Sequence, residues 1–545
     1  MDSDLDALIV GAGPVGLSMA IALAMHGLRF RIIDSAPNRV NESRALGIQA
    51  RTLEIFEMAG IVDEFLAQGR QLHGLHLYGE SGRQIGHLRF DAVPSRYPFL
   101  MALAQSETER ILGDHLSDLA VHIERQTTLL SFAQSGRSVS AILALPDGER
   151  EEVHCDWLLG CDGAQSRVRD LLNLKFAGKT YDLHFLLGDV HAECPLADNE
   201  AHIFGRKEGL FALFPLTKGF FRLVADNPPD RFRSEKKPTL EEWQEVVNTR
   251  STVPIRLSDL GWSTYFRVNS RMVENLKRGR VFVMGDAAHI HSPALAQGMN
   301  TGIQDAWNLG WKLALVQKSL AHPTLLDSFE AERMPVERGV LGMTDFTQTM
   351  ITAEKSINRF LRDSLLPLLI GFEVFQSKAA KTISETAIDY RHGPIVEDHR
   401  LPHGPHAGDR APYATVIRQS NEEEITTISL FGRQHVLFVL VESQSEPEIR
   451  KEFESLFELI QDRYAEIVRP YLILSDEKQF IRCTVDCLID AYGEMKKEFG
   501  AGSALYLIRP DGYIAFRCPA DKSSWLTTYL AKEFLPLREH EAATR

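Results

Sequence analysis

The chain has 545 residues, of which 44% are hydrophobic and 25% are charged, and its formal net charge is −14. A chain of this length exceeds what one hydrophobic core usually organises, so two or three folding units are expected. The acidic balance lacks the basic excess that binding to a phosphate backbone needs, and we therefore expect no nucleic acid partner.

The sequence favours a soluble protein of the cytoplasm. The N-terminus, 1–6, is acidic where a signal peptide needs positive charge. The most apolar later stretch, 365–375, is too short to span a bilayer, so no membrane partner is expected. The six cysteines include no Cys-x-x-Cys pair and are too few for a disulfide framework, which fits a reducing compartment.

The chain opens with the pattern strand, tight turn, helix, strand. Strands are predicted at 7–10 and 30–34, with a helix at 15–26 between them. The turn has the spacing Gly11-x-Gly13-x-x-Gly16, which permits a sharp bend and close approach of the backbone to a pyrophosphate. Asp34 ends the second strand, where a carboxylate binds ribose hydroxyls and repels a 2′-phosphate. The pattern predicts a dinucleotide with a free ribose.

A second helix is predicted near Ser106, because Ser106-Glu-Thr-Glu has the spacing of a capping box, with Gln105 at its mouth. Further along, a buried strand ends at Asp162-Gly163, with Arg167 just beyond. This segment predicts either contacts with sugar and phosphate groups or a capped strand-to-helix turn with surface arginines.

A third segment, 279–306, is the richest in glycine and polar residues. A predicted strand ends at Gly285-Asp286, where Asp286 is placed to hold a polyol chain. A loop leads from there through Pro293 to Gly298, and a helix is predicted at 300–317. The positive end of that helix would face an anionic ring.

Changes of pattern divide the chain into units. The first domain is predicted at 1–180 and 270–345, and a sheet-rich insertion at 181–269 includes one helix after Thr239. A helical segment and linker follow at 346–400. The third unit, 401–545, contains predicted strands at 427–431 and 436–440, a helix at 446–465 and a hairpin around 509–512.

The three glycine-containing motifs, in this order and spacing, resemble those of the single-component FAD-dependent aromatic hydroxylases, typified by para-hydroxybenzoate and phenol hydroxylases. The resemblance covers residues 1–345. The tail is similar to that of phenol hydroxylase-like and pentachlorophenol monooxygenase-like members, which end in a thioredoxin-like domain. Because the tail lacks a Cys-x-x-Cys pair, we expect it to be structural or to support a homodimer.

The resemblance implies an α/β fold: a Rossmann-like FAD-binding domain, an inserted sheet-rich substrate domain as in para-hydroxybenzoate hydroxylase, and a thioredoxin-like tail. It implies FAD as cofactor, NADH or NADPH as transient co-substrate, and hydroxylation of a phenolic or other small aromatic substrate with O2 through a flavin C4a-hydroperoxide. The alternatives are a related hydroxylase or epoxidase acting on a polyketide or antibiotic, and a non-catalytic flavin-binding redox sensor.

The resemblance also implies a set of FAD contacts. Arg44, preferred to Arg51, matches an arginine that contacts the pyrophosphate, and Gly298, Met299 and Asn300 match residues that line the isoalloxazine. The predicted cofactor-binding residues are Gly11, Gly13, Pro14, Gly16, Asp34, Arg44, Gln105, Asp162, Gly163, Arg167, Gly285, Asp286, Pro293, Gly298, Met299 and Asn300.

The substrate pocket is less clearly marked, since aromatic residues on strands are usually core. The predicted lining residues are Phe211, Phe214, Tyr97, Arg222 and Leu295. Further candidates are Tyr265, Phe266, Arg206 and His202. No catalytic base is identified. His289-x-His291 lacks a third ligand of suitable spacing, so we expect no metal there and predict that His289 hydrogen-bonds within the FAD loop.

Leu295 and Ala296 stand where family members usually have two glycines. A leucine there narrows the space beside the flavin or shifts the loop. The hypothesis is that Leu295 slows flavin movement or trims the substrate pocket. It would be contradicted if Leu295→Gly left the rate of flavin reduction, coupling and substrate range unchanged.

Overall fold

The computed structural model describes residues 5–39, 45–226, 237–291, 297–351, 373–441, 447–474, 485–500 and 502–537. Three eight-stranded sheets organise these residues. A small sheet of strands Gly47–Ile48, Arg70–Leu72 and Leu100–Ala102 lies beside the second of them. Within the described ranges, no helix is long and apolar enough to cross a membrane.

The first sheet has a parallel centre. Strand Leu5–Val10 lies between Phe30–Asp34 and Arg150–Gly160, and Val281–Val283 pairs with the far side of Arg150–Gly160. Helix Pro14–Met25 joins the first two strands, so the predicted strand-helix-strand unit is confirmed. The carboxyl ends of these strands share one edge, where ligands of open parallel sheets bind. The sheet is completed by Ile123–Arg125, Thr128–Gln134, Val139–Ala144 and Lys277–Arg278.

The second sheet is built largely from the predicted insertion. Its strands are Gly74–Tyr78, Gln84–Arg89, Phe176–Glu193, Ala201–Arg206, Gly209–Thr217, Phe220–Asp226, Arg256–Val273 and His289–Ile290. The first two come from earlier in the chain than 181–269. Helix Leu240–Arg250 starts at a capping box on Thr239 and buries Trp243 against the backbone of Gly188.

The third sheet contains parallel and antiparallel pairs. Its strands are Glu397–Asp398, Thr415–Arg418, Glu423–Thr426, His435–Val441, Val468–Leu474, Asp486–Ile489, Ala504–Ile508 and Ile514–Pro519. Helices Pro447–Arg463, Glu494–Phe499 and Ser523–Glu533 accompany it. The predicted hairpin around 509–512 is confirmed, and the helix predicted at 446–465 is present with shorter bounds.

Further helices pack on these sheets and on one another. They are Ala50–Met58, Val62–Gln68, Gln105–Asp118, Arg167–Leu171, Gly298–Gln317, Asp327–Ile351 and Glu373–Ile383. Helix Gly298–Gln317 packs along Pro14–Met25, and Gly310 has no side chain where a Cβ would lie 2.8 Å from Ala22. This close packing places the start of both helices at one edge of the first sheet.

Two local predictions are wrong. The capping box at Ser106 is not formed, because Gln105 already begins the helix, with its backbone N–H donating to Ala45 O at 3.2 Å, and Ala104 is the N-cap. Residues 427–431 do not form a strand, since Ile428–Leu430 is a short 3₁₀ helix. The chain turns there because the Thr427 hydroxyl accepts the Ala414 N–H at 3.0 Å.

Candidate functional site

The glycine loop between the first strand and helix Pro14–Met25 requires glycine at two positions. Gly11 has φ +104°, and a Cβ there would lie 2.4 Å from the backbone oxygen of Cys161. A Cβ on Gly16 would lie 1.9 Å from Gly11 O. Gly13, the N-cap of the helix, faces open space within 4 Å. The loop therefore brings bare backbone N–H groups to an accessible helix N-terminus, as a bound phosphate requires.

Asp34 lies beside this loop at the end of the second strand. Its carboxylate accepts hydrogen bonds from Ala12 N at 2.7 Å and Ala36 N at 2.8 Å, and Arg125 Nη1 lies 3.6 Å away. These bonds fix the carboxylate next to the helix N-terminus, and each oxygen retains a lone pair that a ribose hydroxyl can use.

The Gly285-Asp286 segment approaches the glycine loop from the other side. Gly285 has φ +56°, and a Cβ there would lie 2.7 Å from the Val15 side chain. A Cβ on Gly302 would lie 2.6 Å from the same side chain. Asp286 is exposed at the end of the adjacent parallel strand. The motifs of 11–16 and 285–286, which are far apart in sequence, thus form one groove.

A buried ion cluster, which no sequence pattern indicates, fixes the backbone of Gly285. Asp305 accepts hydrogen bonds from Gly285 N at 3.1 Å, Arg333 Nε at 2.7 Å and His289 Nε2 at 2.7 Å. Burial lowers the pKa of His289, but the nearby Glu337 and Asp305 carboxylates outweigh it and raise that pKa to about 9. His289 is therefore a cation that supports the loop, in line with its predicted hydrogen-bonding role.

The start of helix Gly298–Gln317 is held to the small sheet by Asn300. Its amide group donates to Gly47 O at 2.8 Å and accepts from Gln49 N at 2.9 Å. Thr301 and Gln304 both donate to Glu385, whose pKa burial raises to about 8. These contacts set the direction in which the positive helix end points.

The Asp162-Gly163 turn serves first as a helix cap. Asp162 accepts from the Ser166 hydroxyl at 2.5 Å and from Val168 N at 3.0 Å, and burial raises the pKa of its carboxyl. Arg167 is exposed and donates to Leu130 O at 2.9 Å. The buried Arg169 instead donates to Ala287 O at 3.2 Å and so contacts the Gly285-Asp286 segment. The turn is thus capped, with Ser166 as the N-cap, and Arg167 is at the surface as the capped-turn alternative predicted, but Arg169 is buried.

The remaining predicted contacts divide by position. Gln105 lies at the start of its helix, where its side chain accepts from Ala45 N at 3.2 Å and donates to Glu109 at 2.9 Å. Arg51 is buried and donates to Glu54 at 2.9 Å and to the backbone oxygen of Asp511, so it is engaged away from the groove. Arg44, Pro293, Leu295 and Ala296 lie outside the described residues.

Two of the pocket candidates share one face of the second sheet. Phe214 and Arg222 are register partners, and Arg222 lies opposite Asp189 on the next strand. The Arg222 guanidinium is 1% exposed, pairs with Asp189 through a bond of 2.8 Å, and lies 5.4 Å from the Trp262 ring. The buried Arg222 cation and the Trp262 ring beside it are a charged and an aromatic group, which are the kinds of group that orient small ligands in binding pockets.

The other pocket candidates have structural partners. Phe211 is fully buried and stacks on Phe204, on the opposite face of the same strand from Phe214. The Tyr97 hydroxyl donates to Glu57 at 2.7 Å. Three of the further candidates form hydrogen bonds within the protein: Arg206 with Glu80 O, His202 with Ala197 O and Tyr265 with Glu242. The Phe266 ring stacks on Phe185.

The groove fits FAD by its own geometry. The open helix N-terminus at Gly13 suits the pyrophosphate, the fixed Asp34 carboxylate suits a ribose, and the exposed Asp286 carboxylate suits a ribityl chain. A Cβ on Gly11 or Gly16 would collide with the backbone, and a Cβ on Gly285 would collide with the Val15 side chain, so the two motifs could not approach each other as they do.

Comparison with known proteins agrees with this geometry. The family model described as "FAD binding domain" matches residues 4–344, and the chain belongs to this family. It is 32% identical to the pentachlorophenol 4-monooxygenase of Sphingobium chlorophenolicum over 532 residues, 96% of each chain. It is also 36% identical to the 6-methylpretetramide 4-monooxygenase of Streptomyces rimosus over 366 residues, 64% of this chain and 63% of the relative.

The fold is that of the para-hydroxybenzoate hydroxylase-like flavin hydroxylases. An anhydrotetracycline hydroxylase from Streptomyces rimosus superposes with a TM-score of 0.75 at 27% identity, covering 97% of this chain and 99% of that one. The flavin-dependent monooxygenase PieE, solved with FAD and substrate, superposes with a TM-score of 0.76 at 22% identity and the same coverage. At this identity the likeness shows the fold alone. The protein is an FAD-dependent aromatic monooxygenase, and NAD(P)H is the reductant typical of its family.

Proposed function

We propose that the protein hydroxylates a phenolic or other small aromatic compound, with NADH or NADPH as reductant and O2 as the source of the oxygen atom. The observation that carries this proposal is the similarity to pentachlorophenol 4-monooxygenase, which extends over 96% of both chains. Four other relatives compared by sequence cover 64–83% of this chain.

The proposed substrate position lies between the Arg222 face of the second sheet and the start of helix Gly298–Gln317. The strand that carries Phe214 contacts strand Leu100–Ala102. That strand pairs with Gly47–Ile48, and Gly47 O is bound by Asn300. The contacts therefore lead in three steps from the Arg222 face to the helix that is predicted to face the isoalloxazine.

In this position each group has a defined task. Bound FAD supplies the hydride acceptor and the site of oxygen activation. Arg222, fixed by Asp189 and Trp262, provides a positive charge that favours the phenolate form of a substrate. The N-terminus of helix Gly298–Gln317 stabilises negative charge on the ring that it faces. The surrounding aromatic surface excludes water from the reacting atoms.

The test is a screen of substrate-stimulated NAD(P)H oxidation with the FAD-loaded enzyme, with product mass measured for each compound. A phenol that stimulates oxidation and gains one oxygen atom supports the proposal. Arg222→Met should raise the KM for that phenol about 10-fold or more, because a hydrogen bond to a charged group contributes about 1.5–3 kcal/mol. The matched control is Arg267→Met, since Arg267 is exposed two strands away in the same sheet and bonds to His184.

A second candidate substrate is a polyketide of the antibiotic type. The solved anhydrotetracycline hydroxylase covers 97% of this chain and supports it. The same screen separates the candidates, because stimulation and oxygen gain would then occur with an anthracycline-like or tetracycline-like ring system and not with single-ring phenols. A redox sensor would show little stimulation by either class.

We also propose the finer organisation of the molecule. The FAD contacts are the sixteen predicted residues, with Arg169 as an added support of Gly285-Asp286. The domain boundaries are those predicted from the sequence, except that strands Gly74–Tyr78 and Gln84–Arg89 belong to the sheet of the 181–269 unit. A thioredoxin-like topology of 401–545 is supported by the central strand His435–Val441, which is parallel to one neighbour and antiparallel to the other.

Two further predictions concern the whole protein. Sizing of the purified protein tests whether it forms a homodimer. Localisation of the tagged chain tests whether it lies in the cytoplasm.

A further inference from the structure

Three histidines lie side by side on neighbouring strands of the second sheet, away from the groove described above. His76 is the register partner of both His87 and His202. The His76 ring stacks on the His87 ring at 4.2 Å and on the His202 ring at 5.1 Å, each at an interplanar angle of 4°. His202 is also the register partner of Leu213, the residue before Phe214. Since successive residues of a strand point to opposite faces, the histidine row lies on the face opposite Arg222.

A carboxylate is directed at two of these histidines. Glu200 immediately precedes strand Ala201–Arg206, and its Oε1 lies 3.0 Å from His87 Nε2 while Oε2 contacts His76 Nε2. The chain before it is fixed by a hydrogen bond from His73 N to Asn199 O of 2.9 Å.

A glycine leaves room for this cluster. A Cβ on Gly74 would lie 2.7 Å from His87 Nε2 and 2.9 Å from Glu200 Oε1. Any other residue at this position would occupy the space where the imidazole and the carboxylate meet.

We propose that His76, His87 and Glu200 form a binding site for a divalent transition metal, with Zn²⁺ the ion that the donor set fits best. One ligand atom from each residue lies within 4.8 Å of the others. In a tetrahedral zinc site, bond lengths near 2.0–2.1 Å place neighbouring ligand atoms about 3.4 Å apart, so only small side-chain movements are needed. Two imidazoles and one carboxylate form a donor set that zinc accepts, and a water molecule fills the fourth position.

The exposure of the cluster suits a metal that exchanges with solvent. The side chains of His76, His87 and Glu200 are 16%, 32% and 18% exposed. His202 is engaged elsewhere, since Nε2 contacts Ala197 O at 3.0 Å and Nδ1 contacts the Tyr78 hydroxyl at 3.3 Å. It therefore supports the His76 ring by stacking and is not a ligand.

A second group, of one histidine and two carboxylates, is less suited to a metal. His289, Asp305 and Glu337 also bring ligand atoms within 4.8 Å, but all three are buried. Arg333 already neutralises Asp305 at 2.7 Å, and the raised pKa of His289 keeps its ring protonated. A protonated imidazole does not bind a metal.

The metal would connect the edge hairpin of the second sheet to the strand that follows Glu200. The hairpin consists of strands Gly74–Tyr78 and Gln84–Arg89, and its second strand is the last in the sheet. A bond from both of its strands to Glu200 stabilises the edge without reaching the FAD groove. We therefore expect an effect on stability and little effect on the flavin.

The experiment uses the FAD-loaded full chain after treatment with a chelator and gel filtration. Zn²⁺ is titrated by calorimetry, bound metal is measured by elemental analysis, and thermal unfolding is recorded with and without Zn²⁺. The variants are His87→Ala and the conservative Glu200→Gln. The control is His154→Ala, because His154 is 37% exposed on the first sheet.

We expect one equivalent of Zn²⁺ in the wild type and in the control, with binding at least about 10-fold weaker in both site variants. Zn²⁺ should raise the unfolding temperature only where it binds, and the flavin absorbance should be the same in all four proteins. The proposal is overturned if the wild type binds no Zn²⁺ or if Glu200→Gln binds it equally well. If His87→Ala does not fold, Glu200→Gln alone decides.

Discussion

The buried ion cluster beneath Gly285 provides the sharpest test of how the FAD groove is built. Asn is the same size as Asp, so Asp305→Asn removes charge without opening a cavity. It leaves Arg333, which is 0% exposed, without its carboxylate, and it places an amide N–H₂ against donors that now bond to Asp305. Removing one partner of a buried pair costs about 3–5 kcal/mol.

Part of this cost should appear as lost FAD affinity, because the Gly285 N–H loses its acceptor and the loop that forms one side of the groove is no longer fixed. If the whole cost fell on stability, the unfolding temperature of a cooperative unit of 150–250 residues would drop by about 6–20 °C, and the part that is lost as FAD affinity makes the drop smaller. Flavin release on heating is followed by fluorescence, and secondary structure by circular dichroism. Asp170→Asn is the control, since Asp170 is 65% exposed and pairs weakly with Arg169 at 3.8 Å. An Asp305→Asn protein that releases flavin within about 1 °C of the wild type would refute the reasoning.

Three further predictions follow from single positions. The Glu385 carboxyl has a pKa of about 8 in the folded state, so the folded protein retains a proton that the unfolded chain releases. The stability of the wild type should therefore fall as pH rises from about 4.5 to 8. Glu385→Gln should flatten this pH dependence when thermal unfolding is measured across that range. Gly16→Ala should weaken FAD binding roughly 5- to 150-fold in a fluorescence titration, because relieving a Cβ contact of 1.9 Å costs about 1–3 kcal/mol. The control is Gly113→Ala, whose Cβ would meet only Ile123 at 3.8 Å and which should bind FAD normally. Arg509→Met should lower stability by about 3–5 kcal/mol in urea unfolding, because it leaves the buried Glu332 without its bidentate partner, and a loss under about 1 kcal/mol would contradict this.

Sequence patterns predicted the fold well where local and long-range preferences agree. The first strand-helix-strand unit is marked by apolar runs around a glycine turn, and the helix predicted after Thr239 is also present. The patterns failed where tertiary contacts decide. Ser106 has the spacing of a cap, but the hydrogen bond from Gln105 N to Ala45 O starts the helix earlier. Likewise, 74–89 joined the second sheet through pairing with Ala201–Arg206, more than 120 residues away, which no local pattern records.

The candidate site was predictable to the extent that backbone geometry restricts residue type. Gly11, Gly16 and Gly285 are required by positive φ or close backbone approach, and such positions are visible in a sequence as spaced glycines. Asp305 and Arg333 lie within helices Gly298–Gln317 and Asp327–Ile351, and a charged residue of a helix usually faces solvent. Their burial depends on His289 and Gly285 arriving from another segment, so the sequence offered no signal for them.

One helix links the third unit to the FAD groove. Glu332 accepts two hydrogen bonds from Arg509, which belongs to the hairpin turn of the third sheet, at 2.6 and 2.9 Å. The next residue, Arg333, donates to Asp305 at 2.7 Å, and Asp305 in turn accepts from Gly285 N. Both arginines and Glu332 are buried. A movement of the third unit away from this helix would therefore expose the charges of Arg509 and Glu332 or leave them buried without a partner. We therefore expect Arg509→Met to weaken FAD binding and to lower stability, although Arg509 is far from the groove in sequence. Unchanged FAD affinity in a destabilised Arg509→Met protein would mean that the contact of Arg509 with Glu332 does not influence the contact of Asp305 with Gly285.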